Sequence, residues 1–370
     1  MKTDHSRSKP INAVGSFKSS TTHYPAVSVF IRVIRVRLLI LGGWAAAFGL
    51  TSQTRAQTQP PFPAPGRMVD IGGWKVHLNC TGDAKPNQPT IILEAGAGDF
   101  SVEWALVQPR VAEFARVCSY DRAGDGWSEM GPYPRTMHQL VYELHTLMEK
   151  AGDKGPFVLV AQSFGGVVAR LYQSTYPNDV AGMMLTDAGR LDPLRYINGS
   201  LVRLNETATG RPIPPVKTDS PLRESDIPAN ARQQMEAGAR SLVTRANESR
   251  DKLPDDAKRM RVWALGTIKH VAAYVNPFEA EELALMIAAV KDKEYPLGDL
   301  PLTVITAGRA QYDDAQMQQD HARSQAAMAR LSRNGKQIVA TESGHHVHID
   351  QPQLVTDAIR DLLAASTKPR

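Results

Sequence analysis

Short apolar runs bounded by small and turn-forming residues recur along most of the chain, with stretches of helical spacing between them. Thr90 to Leu93, Val117 to Tyr120, Phe157 to Val160, Val180 to Thr186, Leu302 to Thr306 and Gln337 to Ala340 read as strands. Runs without polar alternation belong to strands buried on both faces, as in a parallel sheet. Met68 to Asp70 and Trp74 to Asn79 flank Ile71-Gly72-Gly73 and predict a hairpin with a glycine turn. Helical spacing joins Trp104, Val107, Val111 and Phe114, covers Met137 to Lys150, and continues from Phe164 to Tyr176 through Val167, Val168, Leu171 and Tyr172. Further helices are predicted from Asp314 to Leu331 and from Gln353 to Ala365. Strand and helix in alternation imply a mostly parallel central sheet flanked by helices, with right-handed crossovers.

Residues 190–297 break that alternation. Pro212, Pro214, Pro215 and Pro221 make stiff joints, and charged amphipathic helices are predicted around Asn230 to Arg245, Asp255 to Tyr274 and Glu279 to Lys291. An all-helical insertion between two strands of one sheet reads as a cap. The folded body is then expected at 67–189 and 298–370, with the helical cap at 190–297.

With 370 residues and 42% hydrophobic content, the chain can bury one large core. The net charge of +5 changes meaning once it is divided along the chain. Residues 1–56 hold eight Lys/Arg and one acidic residue, which leaves the remainder at −2. The basic character belongs to the leader, and no nucleic-acid partner is implied. Arg32, Arg35 and Arg37 precede an apolar stretch, Leu38 to Leu50, and a polar segment ending at Arg55-Ala56. This is the pattern of a secretory signal peptide, and the apolar run is shorter than the roughly 20 residues of a membrane span. The expected location is therefore periplasmic or secreted, without stable membrane association after cleavage; an uncleaved membrane anchor is the alternative. Residues 57–66, with four prolines, read as a linker. Cys80 and Cys118 both survive removal of the leader and could pair in an exported protein or stand as buried thiols.

The chemistry concentrates where the strand from Phe157 meets the helix from Phe164. Ala161-Gln162-Ser163-Phe164-Gly165 has the small-x-Ser-x-Gly form of a nucleophile elbow, with alanine where glycine is usual. Taken alone, Ser163 could equally be the N-cap of an apolar helix. The order of its partners decides. Together with Gly96-Ala97-Gly98, the loop Asp121 to Ser128, and Ser343-Gly344-His345-His346-Val347-His348, the pentapeptide makes the chain from Arg67 onward resemble the α/β-hydrolase superfamily, in its capped serine esterase/lipase-like branch.

That resemblance implies an α/β-hydrolase fold in which the strands bearing Cys80 and Cys118 are neighbours, so that a disulfide between them becomes plausible. It implies Ser163 as nucleophile, His345 as its base, and the backbone amides of Ala97 and Phe164 as oxyanion donors. His346 and His348 compete with His345, and the three together suggest a metal site, but no Cys or carboxylate cluster with ligand spacing accompanies them. The family usually places its acid in the loop after the penultimate strand, a few residues beyond a glycine. Here Gly308 is followed by Arg309, Ala310 and Gln311, with glutamine near the expected aspartate. Asp187, ending the strand after the elbow helix, is the preferred acid; Asp313 or Asp314 is the alternative. The Asp121 to Ser128 loop reads as structural.

The expected activity is hydrolysis of small-molecule carboxylic esters through an acyl-enzyme, without metal or cofactor. A serine at the elbow argues against the superfamily's epoxide hydrolases and dehalogenases, which use aspartate. Two alternatives stay open. One is a proline-iminopeptidase-like aminopeptidase reading a substrate amine with cap carboxylates such as Glu279, Glu281 and Glu282, although a charge run on a helix is more often a solvated face. The other is a ligand-binding protein on a hydrolase scaffold. Apolar candidates for the pocket are Trp263, Tyr274, Phe278 and Tyr295.

Overall fold

The computed structural model describes residues 61–245 and 250–367. The expected leader, residues 1–56, lies outside them. Strand β1 (Arg67–Asp70) turns back into β2 (Lys75–Thr81), followed by β3 (Ile91–Glu94), a short helix α1 (Gln108–Ala112) and β4 (Val117–Tyr120). Helix α2 (Met137–Ala151) leads to β5 (Phe157–Gln162), α3 (Gly165–Thr175) and β6 (Val180–Thr186). The order across the main sheet is β1-β2-β4-β3-β5-β6, continued by β9 (Leu302–Ala307) and β10 (Gly335–Ala340). Strands β1 and β2 run antiparallel to their neighbours, and every pairing from β4 to β10 is parallel.

The apolar runs form central strands because both sides of the sheet are covered. Along β3, Ile92 joins one core cluster while Ile91 and Leu93 join the other. In β5, Leu159 faces the first cluster and Val158 and Val160 the second; in β6, Met183 and Leu185 face the first and Met184 the second. The alternation follows from the period of two along a strand. Burying each such side chain contributes on the order of 2 kcal/mol. Helices α2 and α3 supply the first cluster through Leu140, Leu144, Val168 and Tyr172. Helix α10 (Pro352–Ser366) supplies the second through Val355, Ile359 and Leu362. Thr136 caps α2 by accepting from Gln139 N, and Gly152, left-handed at φ 80°, ends it.

Cys80 and Cys118 face each other across β2 and β4 and are joined as a disulfide. The end of the linker packs onto the body: Trp127 Nε1 donates to Phe62 O at 2.9 Å, and the Phe62 ring stands 6.1 Å from that of Trp263.

The inserted segment departs from the all-helical expectation. It opens with a hairpin, β7 (Leu194–Ile197) and β8 (Ser200–Arg203), closed by Asn198 at φ 51° and Gly199 at φ 79°. Two central residues at positive φ make the turn whose twist matches paired strands. Helix α4 (Ala229–Arg245) follows. The single helix expected from Asp255 to Tyr274 is instead α5 (Asp255–Leu265) and α6 (Ile268–Ala272), because Thr267 turns outward and caps the second by accepting from His270 N. Helix α7 (Glu279–Val290) completes the cap, and α8 (Ala315–Ala329) returns to the body.

Buried ion pairs bind cap to body. Arg250 donates to Asp99 at 2.5 Å and to Glu103 at 2.8 Å, and Arg261 donates to Glu103 at 2.6 Å. Glu282, fully buried, accepts from Met137 N and His138 N, so that a cap carboxylate sits on the N-terminus of α2.

Candidate active site

The site begins at the joint between β5 and α3. Ser163 sits at φ 51°, a left-handed conformation unfavourable for a residue with a side chain. It is held there from both sides: Ser163 N donates to Thr186 O, and Ser163 O accepts from Gly166 N and Gly189 N. Gly165 is required by the crossing of backbones, since a Cβ there would stand 2.5 Å from Ala95 O and 2.7 Å from Glu94 O. Ala161, two residues before the serine, is instead accommodated inside β5, paired with Glu94 and Leu185 and fully buried.

His345 lies between β10 and a one-turn helix, α9 (Val347–Asp350). Asp350 fastens the loop by accepting from Gly344 N at 3.0 Å and from Ser343 Oγ at 3.3 Å, and Gln162 Nε2 donates to His345 O. The His345 ring then spans two partners. Its Nε2 is 2.9 Å from Ser163 Oγ, and its Nδ1 is 2.6 Å from Asp187 Oδ2. An acceptor-only carboxylate requires the proton on Nδ1, which leaves Nε2 free to accept from the serine hydroxyl. More than a third of the His345 side chain is exposed, at 37%, so the pair is open to solvent on one side.

Asp187 ends β6 at φ 42°, with its own N–H donated to Ile305 O of the adjacent strand β9. Its carboxylate is wholly buried yet well supplied with donors. Oδ1 accepts from Ala307 N at 3.1 Å and faces His321 Nε2 at 3.1 Å, and Oδ2 accepts from Gln311 Nε2 at 2.8 Å as well as from His345. Burial pushes this carboxyl upward, but the hydrogen bonds from His321 and His345 outweigh it and hold the group below the usual carboxylate range. Asp314, by contrast, caps α8 through Met317 N and accepts from Tyr196 OH, and Asp313 is exposed. Gln311 and His321 escaped the sequence reading, although glutamine in the place expected for an acid was a usable signal.

The neighbouring histidines turn elsewhere. His346 Nε2 approaches Asp99 Oδ2 at 3.9 Å, and the His348 ring lies 4.6 Å from that of Trp104. Burial foremost holds both in the neutral form, pushing His348 down to about 3. The His345 and His346 ring centroids stand 5.2 Å apart, and those of His346 and His348 6.0 Å.

The loop bearing Ala97 passes directly over the serine: a Cβ on Gly96 would stand 3.3 Å from Ser163 Cβ. Arg122 donates to Gly96 O at 2.8 Å and also to Ala95 O, and its guanidinium lies 5.4 Å above the Phe164 ring. One buried cation thus touches both segments expected to supply amides. The Phe164 N–H belongs to the first turn of α3, where no intrahelical acceptor exists. Asp121 serves the loop around it, accepting from Ser101 N and Trp127 N and pairing with His77.

Of the four apolar cap candidates, Tyr274 approaches this centre. Its hydroxyl donates to Asp125 and comes 3.9 Å from a Cβ placed on Gly98. Trp263 packs on Trp127, while Phe278 and Tyr295 lie under the guanidinium groups of Arg211 and Arg333. Glu281 accepts from Arg211 and Thr209, and Glu282 is engaged at α2, which commits two of the three cap carboxylates to structure.

A sequence model of the Alpha/beta hydrolase family matches residues 91–358. An AB hydrolase superfamily protein of Gibberella zeae is 25% identical over 307 residues, covering 75% of this chain and 87% of that protein. Among solved structures, a thermophilic esterase from Thermogutta terrifontis superposes with a TM-score of 0.54 at 20% identity, covering 82% of this chain and all of that one. A meta-cleavage product hydrolase from Pseudomonas fluorescens does so with a TM-score of 0.54 at 18% identity, covering 81% of this chain and 98% of its own. Likeness at that identity speaks for the fold, and the family match, spanning well over half the residues, makes this chain a member of the alpha/beta hydrolase family.

Proposed function

We propose that the protein is a serine hydrolase that cleaves carboxylic esters through an acyl-enzyme, with Ser163 as nucleophile, His345 as general base and acid, and Asp187 as the acid behind it. The supporting observation is the unbroken series from Ser163 Oγ through the His345 ring to Asp187 Oδ2, at 2.9 and 2.6 Å. A serine hydroxyl needs such a base to attack at neutral pH. In the proposed cycle His345 Nε2 takes the hydroxyl proton as Oγ bonds to the ester carbonyl carbon. The carbonyl oxygen becomes an oxyanion between the amides of Ala97 and Phe164. The bond to the alcohol then breaks and His345 returns the proton to the departing oxygen. Water repeats the sequence: His345 takes one of its protons, the hydroxide attacks the acyl carbon, and Ser163 leaves with the proton restored.

The basic leader and apolar run further support export, so we place the working enzyme in the periplasm or outside the cell. The aminopeptidase alternative is weakened by the engagement of Glu281 and Glu282. Labelling with a fluorophosphonate and peptide mapping tests the reading. A single adduct on Ser163, absent in Ser163→Ala, together with turnover of p-nitrophenyl esters above proline p-nitroanilide, is expected. Ester turnover retained by folded Ser163→Ala overturns the mechanism, and binding of esters without adduct or turnover favours a ligand-binding role.

A further inference from the structure

Asp187 is held by more than the reaction requires. Of the four donors around its two oxygens, His345 reacts and Ala307 N is backbone, but Gln311 Nε2 and His321 Nε2 are side chains that donate to Asp187 and not to Ser163 or the His345 ring. They stand 3.3 Å apart on the same carboxylate, one per oxygen, and reach it from different elements: the loop after β9 and helix α8.

The brace is itself fixed. Gln318 Oε1, on α8, accepts from Gln311 N at 2.9 Å and Tyr312 N at 3.1 Å, which ties the loop to the helix that carries His321. The Tyr312 ring stands 5.7 Å from the His321 ring. Gln325, also on α8 and fully buried, donates to Ala188 O, the residue after Asp187. Helix α8 therefore holds both the carboxylate and the backbone that bears it.

We propose that Gln311 and His321 are positioning residues for the ester-hydrolase chemistry inferred above: they hold the Asp187 carboxylate ionised and oriented so that Oδ2 meets His345 Nδ1. The physical need is plain. A carboxylate buried from water must find donors within the protein, and a carboxylate with donors on one oxygen alone can swing about its side-chain torsions and release the imidazole. With one donor beside His345 and two on the far oxygen, the group is pinned at both ends. His321 acts here through Asp187 and receives no proton from the substrate.

The test uses the mature protein and the variants Gln311→Ala, His321→Ala and His321→Gln; the glutamine amide can occupy the place of the imidazole Nε2. Each alanine variant is expected to lower kcat for a p-nitrophenyl ester about 10-fold with KM held within about 2-fold, the loss of one hydrogen bond to a charged group. His321→Gln is expected to recover most of that loss. The downfield proton resonance of the His345 Nδ1 hydrogen bond to Asp187, absent in Asp187→Ala, should shift or broaden in both alanine variants. This readout needs no turnover, so it tests the brace even if the wild type neither labels nor hydrolyses esters, which would refute the ester-hydrolase reading alone. Wild-type kcat and an unchanged resonance in both alanine variants overturn the proposal. So does a kcat loss that accompanies a lowered unfolding midpoint and that His321→Gln fails to relieve.

Discussion

Replacing Asp187 by asparagine isolates charge and tautomer from shape. Asparagine has one acceptor oxygen and one donor nitrogen, and the native carboxylate accepts from four donors: His345, Gln311, His321 and Ala307 N. If the amide oxygen keeps Ala307 N and His321, the amide nitrogen faces His345 and Gln311. Gln311 can turn its own amide over, and His345 can move its proton to Nε2, where it faces Ser163 and no longer accepts. If the amide is reversed, its nitrogen faces Ala307 N, a backbone donor that cannot change. A buried donor left against a donor costs about 1–3 kcal/mol, so the first orientation dominates roughly fivefold or more. The variant is therefore folded but carries the wrong imidazole tautomer. The expected loss in kcat is about 10⁴, or about 5.5 kcal/mol, as for a serine-histidine pair deprived of its aspartate. Steady-state hydrolysis of p-nitrophenyl acetate reads the loss, and fluorophosphonate labelling should slow in parallel. A folded Asp187→Asn enzyme that retains activity within about tenfold of wild type would refute this assignment of the acid.

Two further outcomes bear on the scaffold. His348, buried beside Trp104 and held down to about 3, takes up its proton only on unfolding as the pH falls below its ordinary 6.5. A folded value below the unfolded one means stability present above about pH 6.5 and lost downward at about 1.4 kcal/mol per pH unit for this one group. Urea unfolding between pH 6.5 and 4.5 should then be less pH-dependent in His348→Phe than in wild type, and parallel lines would contradict the burial argument. Reduction of Cys80–Cys118, which are 38 residues apart in sequence, should lower the unfolding free energy by up to about 4 kcal/mol on chain-entropy grounds; an unchanged urea midpoint in dithiothreitol would show that the bridge contributes nothing.

The parts of this fold that were legible are those where one local pattern has one structural meaning. Val117–Tyr120 and Val180–Thr186 occur at the bounds expected, because every residue in them is buried and a run dominated by apolar residues satisfies that. Ser163 and His345 stand out as candidates because each lies in a loop at a strand end with small residues beside it, and the fold brings them within 2.9 Å of each other. The β7–β8 hairpin was not, since Tyr196 and Ile197 are exposed and no apolar alternation marks the strands; its signal was the Asn198-Gly199 pair alone. The break between α5 and α6 escaped because apolar spacing runs on through Ala264, Ile268 and Val271 while Thr267, a capping residue, interrupts the helix. The joining of cap to body through Arg250, Asp99 and Glu103 escaped for another reason: partners about 150 residues apart leave no mark in local spacing.

The candidate acid shows why position in sequence and position in space part company. Strands β6 and β9 are parallel neighbours, with Thr186 level with Ile305 and Asp187 N bonded to Ile305 O. The residues that follow the two strands therefore emerge side by side at the same edge of the sheet. The Asp187 carboxylate at the end of β6 is wholly buried and needs donors from its neighbours. Here Asp187 carries the charge and Gln311, beyond β9, supplies an amide at 2.8 Å. Glutamine is suited to that place for the reason that makes it useless as an acid: it donates to a carboxylate without competing for the proton. An aspartate or glutamate at 311 would put two like charges within hydrogen-bond distance, where one of them must be neutralised. The geometry thus pairs one candidate acid, Asp187, with one amide donor, Gln311, at this edge.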